Sequence, residues 1–156
     1  MPKLQQIILF LVTGAGAGYI RLAPGTAGTV VAIPLSLALN RIAGRSLPLA
    51  LLTLAAFIAA AVWLCGEGEK IFREKDSQRI VIDEVAGFLL ANFAAPAGPK
   101  PALLAFLLFR FFDILKPFPA RRAEKIPGGL GVALDDLVAG LYTFVIARLI
   151  FSWGLL

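Results

Sequence analysis

The sequence predicts an all-α fold, a polytopic bundle of membrane helices, and three observations predict it. Hydrophobic residues make up 59% of the 156 positions and charged residues only 16%, a balance too apolar for a soluble domain of this length. Leu47 to Cys65 runs without a single charge, close to the roughly 20 residues that a helix needs to cross the hydrocarbon core. The basic residues fall in short segments between apolar runs, so the net charge of +5 fits orientation in a membrane and argues against nucleic acid as a partner. About five spans are expected, in one domain covering residues 1–156 and surrounded by membrane lipids. Nothing in the pattern indicates an oligomeric state.

The elements follow in order. Leu4 to Val12 is apolar but short, and Gly14, Gly16 and Gly18 follow at once, so an N-terminal interfacial or half-inserted helix is expected rather than a cleaved signal peptide. Arg21 to Gly28 reads as a Pro/Gly-rich loop, and Thr29 to Arg41 as a helix kinked at Pro34. Leu47 to Cys65 is a span that continues into a charged, water-facing stretch. From Ile80 the pattern turns apolar again as far as the PAGPKP loop at residues 96–101. Ala102 to Leu115 is a helix stopped by Lys116-Pro117, and Gly131 to Leu156 is the last.

Antiparallel spans place alternate connections on one side. One side then collects Arg21, Lys70, Arg73, Lys75, Arg79, Lys116, Arg121, Arg122 and Lys125, and the other Arg41, Arg45, Lys100 and Arg148. The positive-inside rule makes the first side cytoplasmic. The same assignment brings Asp76, Asp83, Glu84, Asp113, Asp135, Asp136 and the Pro-Gly-Thr loop to that face.

A charged carboxylate at mid-helix costs roughly 2.5 to 3.5 kcal/mol on insertion scales, so these acids need compensation. Asp113 has Arg110 and Lys116 three residues away, and Asp83 has Arg79 four residues back, which would be plain helical ion pairs. The adjacent acids Asp83-Glu84 and Asp135-Asp136 have no matching pair of bases. Like charges held together share a proton or bind a cation, and oxygen-only ligands favour a hard one such as Mg²⁺. Asp83, Glu84, Asp135 and Asp136 are the first candidate metal ligands, Asp113 the next, and Asp76 lies where it could reach over the site. Ala86 and Gly87, and Ala139 and Gly140, follow the two acidic pairs and would let the helices carrying them approach closely. Thr26 and Thr29, in APGTAGT, either bind an anion at a helix N-terminus or make a turn and cap. Ile126 to Gly131 carries the same pair of readings, phosphate approach or turn.

The chain has one cysteine, Cys65, and no histidine. Phosphohistidine chemistry and imidazole ligands are therefore absent, and a cysteine phosphatase loop fails because Ile71 stands where an arginine is needed. The D-x-D-x-[TV] motif of aspartyl phosphatases is missing too. Water activated by a metal and oriented by a carboxylate, attacking a phosphoryl group held by the same metal and a nearby base, is what remains, and Lys116, Arg110, Arg121 and Arg122 are the candidate bases. A carboxylate nucleophile outside the usual motif is the alternative.

The successive motifs APGTAGT, VIDEVAG, FRFFDILKPFP and GGLGVALDDLVAG resemble those of the phosphatidylglycerophosphatase A family, in order and spacing, from about Gly14 to Tyr142. The resemblance implies a bacterial cytoplasmic-membrane enzyme that hydrolyses phosphatidylglycerol phosphate to phosphatidylglycerol and inorganic phosphate with Mg²⁺. It also implies that Asp76, Asp83, Glu84, Asp113, Asp135 and Asp136 are the family's acidic positions, with Arg110 and Lys116 as basic partners and Thr26 in its Pro-Gly-Thr loop. Some members carry a histidine where this chain has Pro127. Two other classes compete. A CDP-alcohol phosphatidyltransferase also embeds acids in membrane helices, but its D-G-x-x-A-R pattern is absent; a cation transporter would spread its acids through the bilayer rather than gather them at one face.

Overall fold

A computed structural model of the protein describes residues 2–123 and 126–154. Lys125, one of the orienting basic residues expected from the sequence, lies outside the described residues. These form seven α-helices and a short 3₁₀ turn, with no strand among them: α1 (Lys3–Val12), α2 (Pro24–Ala43), α3 (Leu47–Phe72), α4 (Ile82–Ala91), α5 (Pro99–Leu115), α6 (Ala120–Ala123) and α7 (Gly129–Ser152). The all-α membrane bundle is as expected. Three helices, α2, α3 and α7, are long and apolar enough to cross a membrane. The expectation of about five spans included the stretch after Ile80, but α4 has only 10 residues, about 15 Å of helix and half the hydrocarbon core.

Three boundaries differ from expectation, and one is the start of α5 at Pro99, inside the loop expected at residues 96–101. The Pro-Gly-Thr segment is the first turn of α2 rather than a loop, with Pro24 at a position that needs no N–H and has a helix-compatible φ. Farther on, α3 continues past Cys65 to Phe72: the charges of that segment end the membrane span without ending the helix. Leu47 onward, Ser46 caps its start by accepting a hydrogen bond from the Leu49 N–H.

Short and central, α4 is buried on nearly every face. It crosses α7 where Gly87 meets Gly140. A Cβ on Gly87 would press on the Asp136 carbonyl, and one on Gly140 on the Gly87 carbonyl, so both positions need glycine for backbone contact. Phe88 then packs edge-on against Phe106 and Phe109 of α5. A chain that turns inside a bundle exposes backbone carbonyls, which is tolerable at membrane depth only where protein supplies partners. Here Arg148 of α7 donates to the carbonyls of Phe93 and Ala94. The Asn40 amide of α2 donates to the Asn92 carbonyl and accepts from the Ala94 N–H, at 2.9 and 2.7 Å.

The first glycine of α7 packs against α3: a Cβ on Gly129 would strike the Val62 carbonyl and the Gly66 backbone, which makes this the crossing point of the two helices. Cys65 is fully buried.

Candidate active site

One end of the bundle gathers the starts of α2, α4 and α7 and the ends of α3 and α5, and the acids are there. Asp83 and Glu84 occupy the first turn of α4, where unpaired N–H groups and the helix dipole favour negative charge. The Glu84 N–H donates to Asp83 Oδ1 at 3.1 Å. That turn is anchored from behind by the Val81 N–H, which donates to the Val12 carbonyl of α1 at 2.9 Å. Asp136 projects from α7 into the same space, brought there by the glycine crossing one turn farther along each helix.

Among the described residues, Asp83, Glu84 and Asp136 form a group whose carboxylate oxygens can all lie within 4.8 Å of one another. Asp83 and Asp136 are buried, at 5% and 4% exposure. Glu84 Oε2 and Asp136 Oδ1 have no hydrogen-bond partner. Three carboxylates at this spacing repel strongly unless a proton or a cation lies between them. Oxygen ligands with unused lone pairs fit a hard divalent ion, which takes a few carboxylates and leaves positions for water and phosphate.

Two of the other acidic candidates flank this group and have basic partners. Asp135 Oδ2 accepts from Lys116 Nζ at 2.8 Å, and Asp113 pairs with Arg110 one turn earlier on α5. The helical pairing weighed for Asp113 is thus present; the one weighed for Asp83 is not, because Arg79 donates to Ser77 and Glu74 instead. Glu74 is held below the ordinary carboxylate range by the Ser77 hydroxyl and then by Arg79. Lys116 takes a left-handed backbone conformation at the end of α5, with φ 47°, a conformation costly for a side-chain-bearing residue. It turns the chain so that the ammonium crosses to α7. Arg110 is largely buried, and its Nε has no hydrogen-bond partner.

Gly25, in the first turn of α2, completes the wall. A Cβ there would collide with Glu84 Oε1 and approach Arg110 Nη1, so the glycine of Pro-Gly-Thr admits the carboxylate and guanidinium against the α2 backbone. Thr26 beside it is partly buried. Thr29 is fully buried, and its hydroxyl donates to the Gly25 carbonyl at 2.8 Å, which stiffens that turn from within. Asp76 lies on an exposed turn with φ 50°, and its N–H donates to Glu69 Oε1 at 3.0 Å. Arg121 and Arg122 are exposed.

Sequence reasoning missed two contributors. Gly25 was visible only as part of a turn motif, since nothing in the motif says which side chain lies against it. Glu69 was hidden because its role, holding the Asp76 turn, is made across the end of α3 and has no spacing signature.

The chain matches the family model described as phosphatidylglycerophosphatase A over residues 10–151. It is 36% identical over 150 residues to the Haemophilus influenzae phosphatidylglycerophosphatase A, covering 95% of this chain and 91% of that one. To the Escherichia coli phosphatidylglycerophosphatase A it is 33% identical over 135 residues, covering 84% and 76%. A Bacteroides thetaiotaomicron protein, provisionally named a phosphatidylinositol-3-phosphatase, is 37% identical over 143 residues, covering 86% and 87%. No solved structure matches the chain significantly. With the match running over nearly the whole length and taking in all four motifs, the chain belongs to the phosphatidylglycerophosphatase A family.

Proposed function

We propose that this protein is a phospholipid phosphatase of a bacterial cytoplasmic membrane, hydrolysing phosphatidylglycerol phosphate to phosphatidylglycerol and inorganic phosphate at its cytoplasmic face with Mg²⁺. Family membership supports the substrate and the reaction. The single observation that carries the site is the group of Asp83, Glu84 and Asp136, whose unpartnered oxygens lie at the same bundle end as the largely buried Arg110.

Asp83, Glu84 and Asp136 would hold the metal, with Asp135 and Asp113 alongside and Asp76 reaching over from its turn. When bound, Mg²⁺ would offset the negative charge of the phosphoryl oxygens and make water a better nucleophile. One of the three carboxylates orients that water and takes its proton as the new O–P bond forms, and the bond from phosphorus to the headgroup oxygen breaks. The same proton can return to the departing alkoxide. Arg110 and Lys116 stabilise charge on the phosphoryl oxygens, and their pairs with Asp113 and Asp135 fix where they point before substrate arrives. Thr26 and the free N–H groups of the first turn of α2 receive a phosphate oxygen, and Thr29 keeps that turn in shape.

A second substrate is favoured by one specific observation, the Bacteroides relative's name: the phosphomonoester of a phosphoinositide headgroup. Transport is disfavoured because the acids gather at one end of the bundle rather than along it.

Phosphate release from phosphatidylglycerol phosphate by purified protein in detergent tests the proposal, with Mg²⁺, with EDTA, and with Asp83→Asn. The expected result is release that needs Mg²⁺ and falls by about 100-fold or more in the variant, roughly 2.7 kcal/mol of barrier. Release from phosphatidylinositol 3-phosphate at a higher rate would transfer the reading to the second substrate. No release from folded wild-type protein with any divalent metal would sink it.

A further inference from the structure

A groove of about 820 Å³ lies between α2 and α5, within the size range of cavities that bind small apolar ligands. Its apolar walls are Val30, Ile33 and Leu37 from α2 and Leu103 and Phe106 from α5, and Arg41 with residues 95–99 closes its far end. The α2 residues continue one helical stripe from Thr26, at spacings of four, seven and eleven. On α5 they continue another from Arg110, four and seven residues back. Both stripes therefore begin at the residues assigned to the phosphate and run away from it down the groove. Val30 is 52% exposed and Leu103 57%, so the groove opens sideways toward the bilayer.

We propose that this groove seats an acyl chain of the phosphatidyl substrate while its headgroup occupies the carboxylate site, which rests on the reading of the chain as a phospholipid phosphatase. Depth supports the occupant. Thr26 to Leu37 is eleven residues, about 16 Å at 1.5 Å per residue, against a single-leaflet hydrocarbon depth of about 15 Å. Below Leu37 the groove meets Asn40, whose amide is held by the Asn92 carbonyl and the Ala94 N–H. The apolar path thus ends in a polar stop about where one leaflet ends. Side entry lets a lipid engage the site without leaving the membrane, and the shared stripes align the chain with the phosphate.

The test compares dipalmitoyl and dibutyryl phosphatidylglycerol phosphate as substrates for wild type, Leu103→Trp, Leu37→Trp and Leu107→Trp. Leu107 is 58% exposed on the same helix but outside the groove, and controls for bulk. Filling the groove mouth in Leu103→Trp is expected to raise KM for the dipalmitoyl substrate about tenfold, equivalent to a couple of unburied methylenes. Its kinetics on the dibutyryl substrate stay as in wild type. Leu37→Trp, deeper, moves the preference toward shorter chains, and Leu107→Trp changes neither substrate. Equal effects of Leu103→Trp on both substrates, or none on either together with an unchanged chain-length preference in Leu37→Trp, would overturn the groove assignment while leaving the phosphatase intact. Wild type inactive on both chain lengths would overturn the phosphatase reading, and this one with it.

Discussion

Asp136 has an oxygen with no hydrogen-bond partner in a buried place and two other carboxylates beside it, an arrangement that is poor for stability and useful for binding a cation. Removing one of three repelling charges should relax the metal-free protein while removing a ligand. Asp136→Asn is therefore expected to raise the thermal midpoint without metal and to abolish the further rise that Mg²⁺ gives wild type, with phosphate release lost. A lower metal-free midpoint in this variant would contradict the repulsion. The flanking pairs act differently, since Lys116 and Asp135 each hold the other. Lys116→Met alone leaves a mostly buried carboxylate without its ammonium, and adding Asp135→Asn should recover part of the loss. A double-mutant cycle in detergent should give a coupling of about 0.5–3 kcal/mol.

At the scale of elements, the short helix α4 decides the site. It carries two of the three acids at its start and stops halfway through the bundle. Its position depends on backbone contact with α7 at Gly87 and Gly140 and on side chains that satisfy the carbonyls of the turn after it. Gly87→Ala puts a methyl against the Asp136 carbonyl and the Phe109 ring. It should cost about 1–3 kcal/mol through overpacking and should also lower kcat, because separating α4 from α7 separates the ligands. At the other end, Arg148→Met leaves two carbonyls unpaired in an apolar setting. A loss of about 1–3 kcal/mol is expected by thermal unfolding in detergent, with the metal affinity of the distant acid group unchanged.

For the whole molecule, the acid group shares one end of the bundle with Lys70, Arg73, Lys75, Arg79 and Lys116, and Arg41, Arg45 and Lys100 lie at the other. If the first end is cytoplasmic, an impermeant maleimide added to intact cells should label Arg45→Cys but not Gln78→Cys, and lysis should expose the latter. Cys65 is fully buried and should stay silent. The reverse labelling pattern would invert the orientation.

Composition and the runs of apolar residues were enough to read a membrane bundle, and the neighbouring acids were enough to single out residues that come together as a group able to hold a metal ion. These are local properties: a charge in an apolar run needs an explanation wherever the chain goes. The small residues after each acidic pair were legible in the same way, as permission for close contact. Hydropathy could not show that α4 is half a span, because a buried short helix and a lipid-facing long one are equally apolar in sequence. Nor could it divide six acids into a close group of three, two with basic partners and one on an exposed turn. That division depends on which helix ends meet and where Gly25, Gly87 and Gly140 let backbones touch, and contacts between residues 25, 84, 110 and 136 exist only once the bundle has closed.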